Sequence, residues 1–156
     1  ANRLASNSLL EAIATAQFAA DAAIKDFKNN STIMPPSTQF PHDAAAQLSR
    51  ERVILSYNRR ELKRLMWDYV GIVRSTYRLN EAVQQVAVID NSVDRYYSSH
   101  PLSYDSIELR NMVTIGKLII ESATRRKESR GLHYNVDFPD RDDLHWNKDT
   151  IIRKQG

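Results

Sequence analysis

Apolar residues along this chain recur mostly at helical spacing, and the spacing predicts four helices separated by polar breaks. From about Ser8 to Phe27, residues Leu9, Ile13, Ala16, Ala20, Ala23 and Phe27 share one face, and alanines fill most of the rest. Ser8 followed by Glu11 reads as a capping box that starts this helix. Alanine on nearly every side lets other backbones approach closely, so the helix is expected to need cover from a larger body. Residues 28–49 carry Pro35, Pro36 and Pro41 among polar residues and predict a crossing loop, with helix resuming near Ala44. Asn58 with Glu61 repeats the capping pattern ahead of a stripe of Leu62, Leu65, Tyr69 and Ile72, with Gly71 as its weak point or end. Leu79, Ala82, Val86, Ile89, Val93 and Tyr96 mark a third helix that stops before His100 and Pro101.

The fourth helix carries Leu109, Met112, Gly116, Ile119 and Ala123 on its face, widened by Val113 and Ile120. Arg125, Arg126 and Lys127 crowd its C-terminal end, where the macrodipole is negative, and Gly131 is the expected stop. Beyond it Leu132, Tyr134, Val136 and Phe138 alternate with polar residues, a strand pattern for which the sequence offers no convincing second strand. The residues after Asp137 are rich in charge and read as a solvated or partner-dependent tail. The fold class predicted is all-α: a three-helix up-down-up bundle, spectrin-repeat-like, over residues 50–130, preceded by the Ala-rich helix. The remaining boundaries are a terminal segment 1–30, a linker 31–49 and an extended tail 131–156.

Composition narrows the chemistry. The chain has 156 residues, 42% of them hydrophobic, enough for one domain with a core. Its 22 basic and 19 acidic residues leave a net charge of only +3, weak grounds for a nucleic-acid or membrane partner, and neither is expected. The absence of cysteine excludes disulfides and thiolate metal sites and fits a reducing, cytoplasmic setting. His42, His100, His133 and His145 never stand at helical ligand spacing, and Asp140, Asp142 and Asp143 lack the glycine and glutamate of a calcium loop, so no metal site is expected. The RRKESR run reads as a helix end with salt bridges rather than a phosphate grip, because Glu128 interrupts it. One feature is chemical. The start of the first helix leaves backbone N–H groups free to meet anionic or carbonyl oxygens, and Arg3 stands just ahead of it.

Three blocks, ANRLASNSLLE, RRELKRLMWDYVGIVRSTYRL and ELRNMVTIGKLIIESATRRKESRGLHYNVDFP, resemble in order and spacing the C-terminal part of bacterial L-aspartate oxidases. These belong with the flavoprotein subunits of succinate dehydrogenase and fumarate reductase, which share ANRLGxNSLL-like and ESRGxH-like blocks. The residue choices at Ala5 to Ser8 and Glu11, with MWDYVGIVR and GLHY, lie closer to the oxidases. The resemblance implies that Arg3 binds a substrate carboxylate and that Ser8 and Leu9 contact the isoalloxazine of FAD. It implies no catalytic residue in this chain, and no role for Glu128 to Gly131, expected to fold back against a flavin domain.

What the resemblance implies for the whole enzyme is oxidation of L-aspartate to iminoaspartate on FAD, with oxygen or fumarate taking the electrons. This is the first step of bacterial NAD synthesis, and quinolinate synthase, a further partner, consumes the imine. The dinucleotide-binding half and the capping domain of such enzymes would lie upstream of Ala1. The chain is therefore expected to be a C-terminal fragment, inactive alone, with its Ala-rich helix belonging to the FAD-binding domain and left exposed, swapped or displaced. The rival readings are a succinate dehydrogenase or fumarate reductase flavoprotein and a non-catalytic three-helix interaction module.

Overall fold

A computed structural model describes residues 7–29, 52–100 and 102–153. The chain divides into two compact units, one holding α1 (Ser8–Asn29) and the other every later element. The second unit contains α2 (Arg52–Val70), β1 (Val73–Arg74), α3 (Thr76–Ser99), α4 (Tyr104–Arg125), β2 (Tyr134–Asn135) and α5 (Asp143–Trp146). The class is all-α, as expected.

The core lies where α2, α3 and α4 pack on one another, each against the other two. Along α3 the buried side chains are Leu79, Ala82, Val86, Ile89, Val93 and Tyr96, the stripe read from the sequence. In α4 the face is turned slightly: Leu109, Val113, Gly116, Ile120 and Ala123 are buried, Met112 is at the edge and Ile119 is exposed. Gly116 faces α2, and a β-carbon there would only touch Leu62 and Met66. An alanine would therefore fit at that point without moving either helix.

Helix ends follow local chemistry. The Ser75 hydroxyl accepts from Arg78 N–H at 3.2 Å and starts α3. Ser103 and Ser106 cap α4 reciprocally, each hydroxyl accepting from the other's N–H, at 3.2 and 3.0 Å. His100 ends α3 and stacks on Tyr96 with ring centres 4.1 Å apart.

Several expectations are corrected. Asn58 starts nothing: it is buried within α2 and donates to the Ile54 carbonyl and the Ser92 hydroxyl, so its amide serves the helix interface instead. Ile72 lies past the helix end and is exposed. The first intrahelical bond of α1 runs from Glu11 N–H to the Asn7 carbonyl, which puts the cap at Asn7, and the Asn7 amide donates to the Glu11 carboxylate at 2.9 Å. Gly131 does not stop α4, which has already ended at Arg125; its φ of 60° turns the chain between Arg130 and His133. A partner strand exists: β1 pairs with β2 in parallel, Val73 opposite Tyr134 and Arg74 opposite Asn135. Expected helix near Ala44 and the linker 31–49 lie outside the described residues.

Within its own unit α1 has no buried residue, and Leu9, Ile13, Phe18 and Phe27 are all exposed.

The turned face of α4 yields a test. Leu109→Ala should cost about 2–5 kcal/mol, whereas Ile119→Ala should cost under about 1 kcal/mol. Urea denaturation of the two variants measures the difference.

Candidate functional site

Two places carry polar chemistry beyond helix packing. The first is the start of α1, where the N–H groups of Ser8, Leu9 and Leu10 precede the first helical bond and have no helical carbonyl to meet. Ser8 and Leu9 are both exposed in this first turn. Partial positive charge therefore faces outward at this point. Arg3 lies outside the described residues, so the two halves of the sequence-read site are not seen together.

The second place was not read as a site from the sequence. Glu128 follows α4 and is 0% exposed. Its carboxylate accepts from Arg130 Nε at 2.8 Å and Nη2 at 3.0 Å, a two-point fork, and from the backbone N–H of Asp142 at 2.9 Å. Arg126 Nη1 donates to the same group. The Arg130 fork, helped by Asp142 and Arg126, outweighs burial and holds the Glu128 carboxyl down at about 2. These partners belong to this chain.

Arg126 reaches further. It donates to the Thr150 hydroxyl at 3.1 Å, to the Trp146 carbonyl at 3.1 Å and to the Lys148 carbonyl, while its guanidinium lies 5.6 Å from the Trp146 ring centre. Arg130 also donates to Asp143 at 2.6 Å. The residues after Asp137, read as a solvated or partner-dependent tail, are thus tied back by arginine donors as far as Ile151.

On the other side of the turn Arg74, buried in β1, donates to the Val70 carbonyl at 3.1 Å and to His133 Nδ1 at 2.8 Å. A guanidinium can only donate, so Nδ1 accepts and the neutral ring carries its proton on Nε2. Burial, and then the Arg74 charge, pull His133 below its ordinary value. The Arg126 carbonyl pulls the other way, yet Nε2 has no hydrogen-bond partner. Among the described residues no group of His, Asp and Glu could hold a metal ion. Asp142 instead caps α5, accepting from His145 N–H at 3.1 Å, and Asp143 is taken by Arg130 and Arg141.

The sequence held one signal for this cluster: a glutamate flanked by arginines, at 126, 128 and 130, just past a helix end. The chain bends at Glu128, and the three side chains meet there. What the pattern could not say is that the glutamate is buried.

The Glu128 carboxyl makes acid stability testable. Its folded pKa lies below the ordinary value of 4.5, so its contribution is full above that value and is lost as pH falls toward 2. Glu128→Gln should lower Tm at pH 7 and flatten the decline of Tm between pH 4.5 and 2; thermal melts across that range check both.

Comparison with known proteins adds the following. Residues 59–156 match the family described as the fumarate reductase flavoprotein C-terminal region. The L-aspartate oxidase of Pseudomonas aeruginosa is 44% identical over 154 residues, covering 97% of this chain and 28% of that protein. That of Yersinia pestis is 41% identical over 145 residues, 90% of this chain and 26% of its own length. The chloroplastic L-aspartate oxidase of Arabidopsis thaliana is 39% identical over 152 residues, 89% of this chain and 23% of its own. The chain spans about a quarter of the length of these relatives. Helices α2 to α4 and the Glu128 cluster fall almost wholly inside the family match, and on that match the chain belongs to the fumarate reductase flavoprotein C-terminal family, within which the relatives it resembles are L-aspartate oxidases.

Proposed function

We propose that this chain is the C-terminal region of an FAD-dependent L-aspartate oxidase, oxidising L-aspartate to iminoaspartate with oxygen or fumarate as acceptor. The observation that carries the reading is 44% identity to an L-aspartate oxidase along 97% of the chain. In the cell the reaction would open NAD synthesis in the cytoplasm, with quinolinate synthase taking the product. The 1–30 segment would belong to the FAD-binding domain, 50–130 would form the helical domain, and catalytic groups would come from upstream regions.

The residues present fit a flavin at the start of α1. Ser8 and Leu9 are exposed there, in a turn whose N–H groups lack helical acceptors. When bound, FAD would accept the hydride leaving the substrate carbon. Ser8 and Leu9 would hold its isoalloxazine, and the positive end of the helix would favour negative charge on that ring system. Arg3 would grip a substrate carboxylate with its planar fork and so fix the carbon for transfer. Exposed apolar residues all round α1 support a helix that packs into a larger flavin domain rather than serving a free-standing three-helix module.

Flavin content and aspartate-dependent peroxide formation, measured side by side on the complete gene product and on residues 1–156, test the proposal. The expected result is a yellow, active complete protein and a colourless, inactive chain. Turnover of succinate or fumarate alone would move the assignment to the respiratory flavoproteins, and a complete product no longer than this chain would favour the interaction module. In the active form Arg3→Leu should lower kcat/KM for aspartate about 10- to 100-fold while flavin absorbance is kept.

A further inference from the structure

The turn after α4 and the end of α5 with the residues after it border an open cleft of about 480 Å³, lined by Arg126, Arg130 and His133 and by Trp146, Lys148 and Asp149. That volume suits a small metabolite. Its lining holds Arg126, Arg130 and Lys148 against Asp149, while the ionised Glu128 and Asp143 meet the arginines from outside the lining, so charge is balanced locally and the cleft is set apart by the donors left unused. The cations differ in how they are held. Glu128 takes Arg130 through Nε and Nη2, leaving Nη1 without a described partner. Arg126 is pinned by Glu128, Trp146, Lys148 and Thr150, with each of its three nitrogens engaged. Lys148 has no carboxylate partner among the described residues, and its ammonium lies only over the Trp146 ring, 5.8 Å from the centre.

We propose that this cleft binds a small organic or inorganic oxyanion, a carboxylate or phosphate group, held by Arg130 Nη1 and Lys148. Two features favour binding over mere surface charge. The guanidinium positions are already fixed by a buried carboxylate, so little side-chain entropy is lost when a ligand arrives. Arg130 and Lys148 also line the same concavity. Trp146 adds an apolar wall for the body of an organic anion. His133, held neutral through Arg74, adds no charge of its own.

Residues 1–156, used for the titration, contain two tryptophans, and Trp67 lies exposed on α2, outside the cleft, so its indole N–H serves as an internal reference. Inorganic phosphate and succinate are titrated separately against sodium chloride of equal ionic strength, and the indole N–H signals are followed by NMR. Saturable movement of the Trp146 signal, but not that of Trp67, is expected with at least one of the two anions, and which one responds identifies its source. Lys148→Ala should weaken binding about tenfold, and Asp149→Asn, which removes a like charge, should tighten it. Both positions are exposed, so the fold should survive either change. If the Trp146 signal follows ionic strength alone, or if both variants titrate like the parent, the cleft is no anion site.

Discussion

A carboxylate buried without access to water must be met by positive charge, and the second half of this chain is arranged around that demand. Glu128 sits just past α4 with Arg126 and Arg130 on either side of it in sequence, and both turn inward to meet it. Once they do, the remaining donors of Arg126 and the second bond of Arg130 Nη2 go to backbone carbonyls and side chains from residues 143–150. One buried charge therefore organises segments that have little apolar material of their own. Removing a single partner from such a group strands an uncompensated charge, which is why the arrangement is stable only as a whole.

The helical bundle rests on different physics. The stripe in α3 was legible because apolar residues recur there at every third or fourth position from Leu79 to Tyr96, although Val83 and Val88 stand exposed beside it. In α4 the stripe is broader than the contact, so periodicity found the helix but placed its centre one residue away, at Met112 and Ile119 instead of Val113 and Ile120. Asn58 misled for a related reason. An asparagine three residues before a glutamate is equally compatible with a helix start and with a buried amide, and only the position of Ser92 on the neighbouring helix decides between them.

The strand pair and the tied-back tail were beyond the sequence for a more general reason. Two residues per strand give no alternation to detect, and β1 carries Arg74 on its inward side, the reverse of what hydrophobic patterning assumes. In β2 the buried residue is Asn135, while the apolar Tyr134 and Val136 are exposed. The apolar alternation was real and pointed outward. Of the α1 site, the residue types at the helix start were legible, and the structure adds only that the turn is exposed and that the cap falls at Asn7.

A two-residue parallel pair has too little backbone bonding to persist by itself. Here it is fastened at several further points: Val136 N–H donates to the Arg74 carbonyl at 2.9 Å, Asp137 accepts from Thr76 N–H at 2.7 Å, and Arg74 meets His133. The Asp137 contact falls on the first residue of α3, where a carboxylate also meets the positive end of the helix dipole. That bond holds Asp137 below the ordinary carboxylate range. The segment from Arg130 to Asp137 is thus clamped at one end by Glu128 and at the other by the start of α3, and the strand register follows from the clamps rather than from the strands. Polar contacts, each directional, fix the geometry of the turn, while the apolar contacts that make the bundle stable say nothing about it. A cluster of this kind keeps cationic side chains at fixed positions on a surface, which hydrophobic packing alone cannot do.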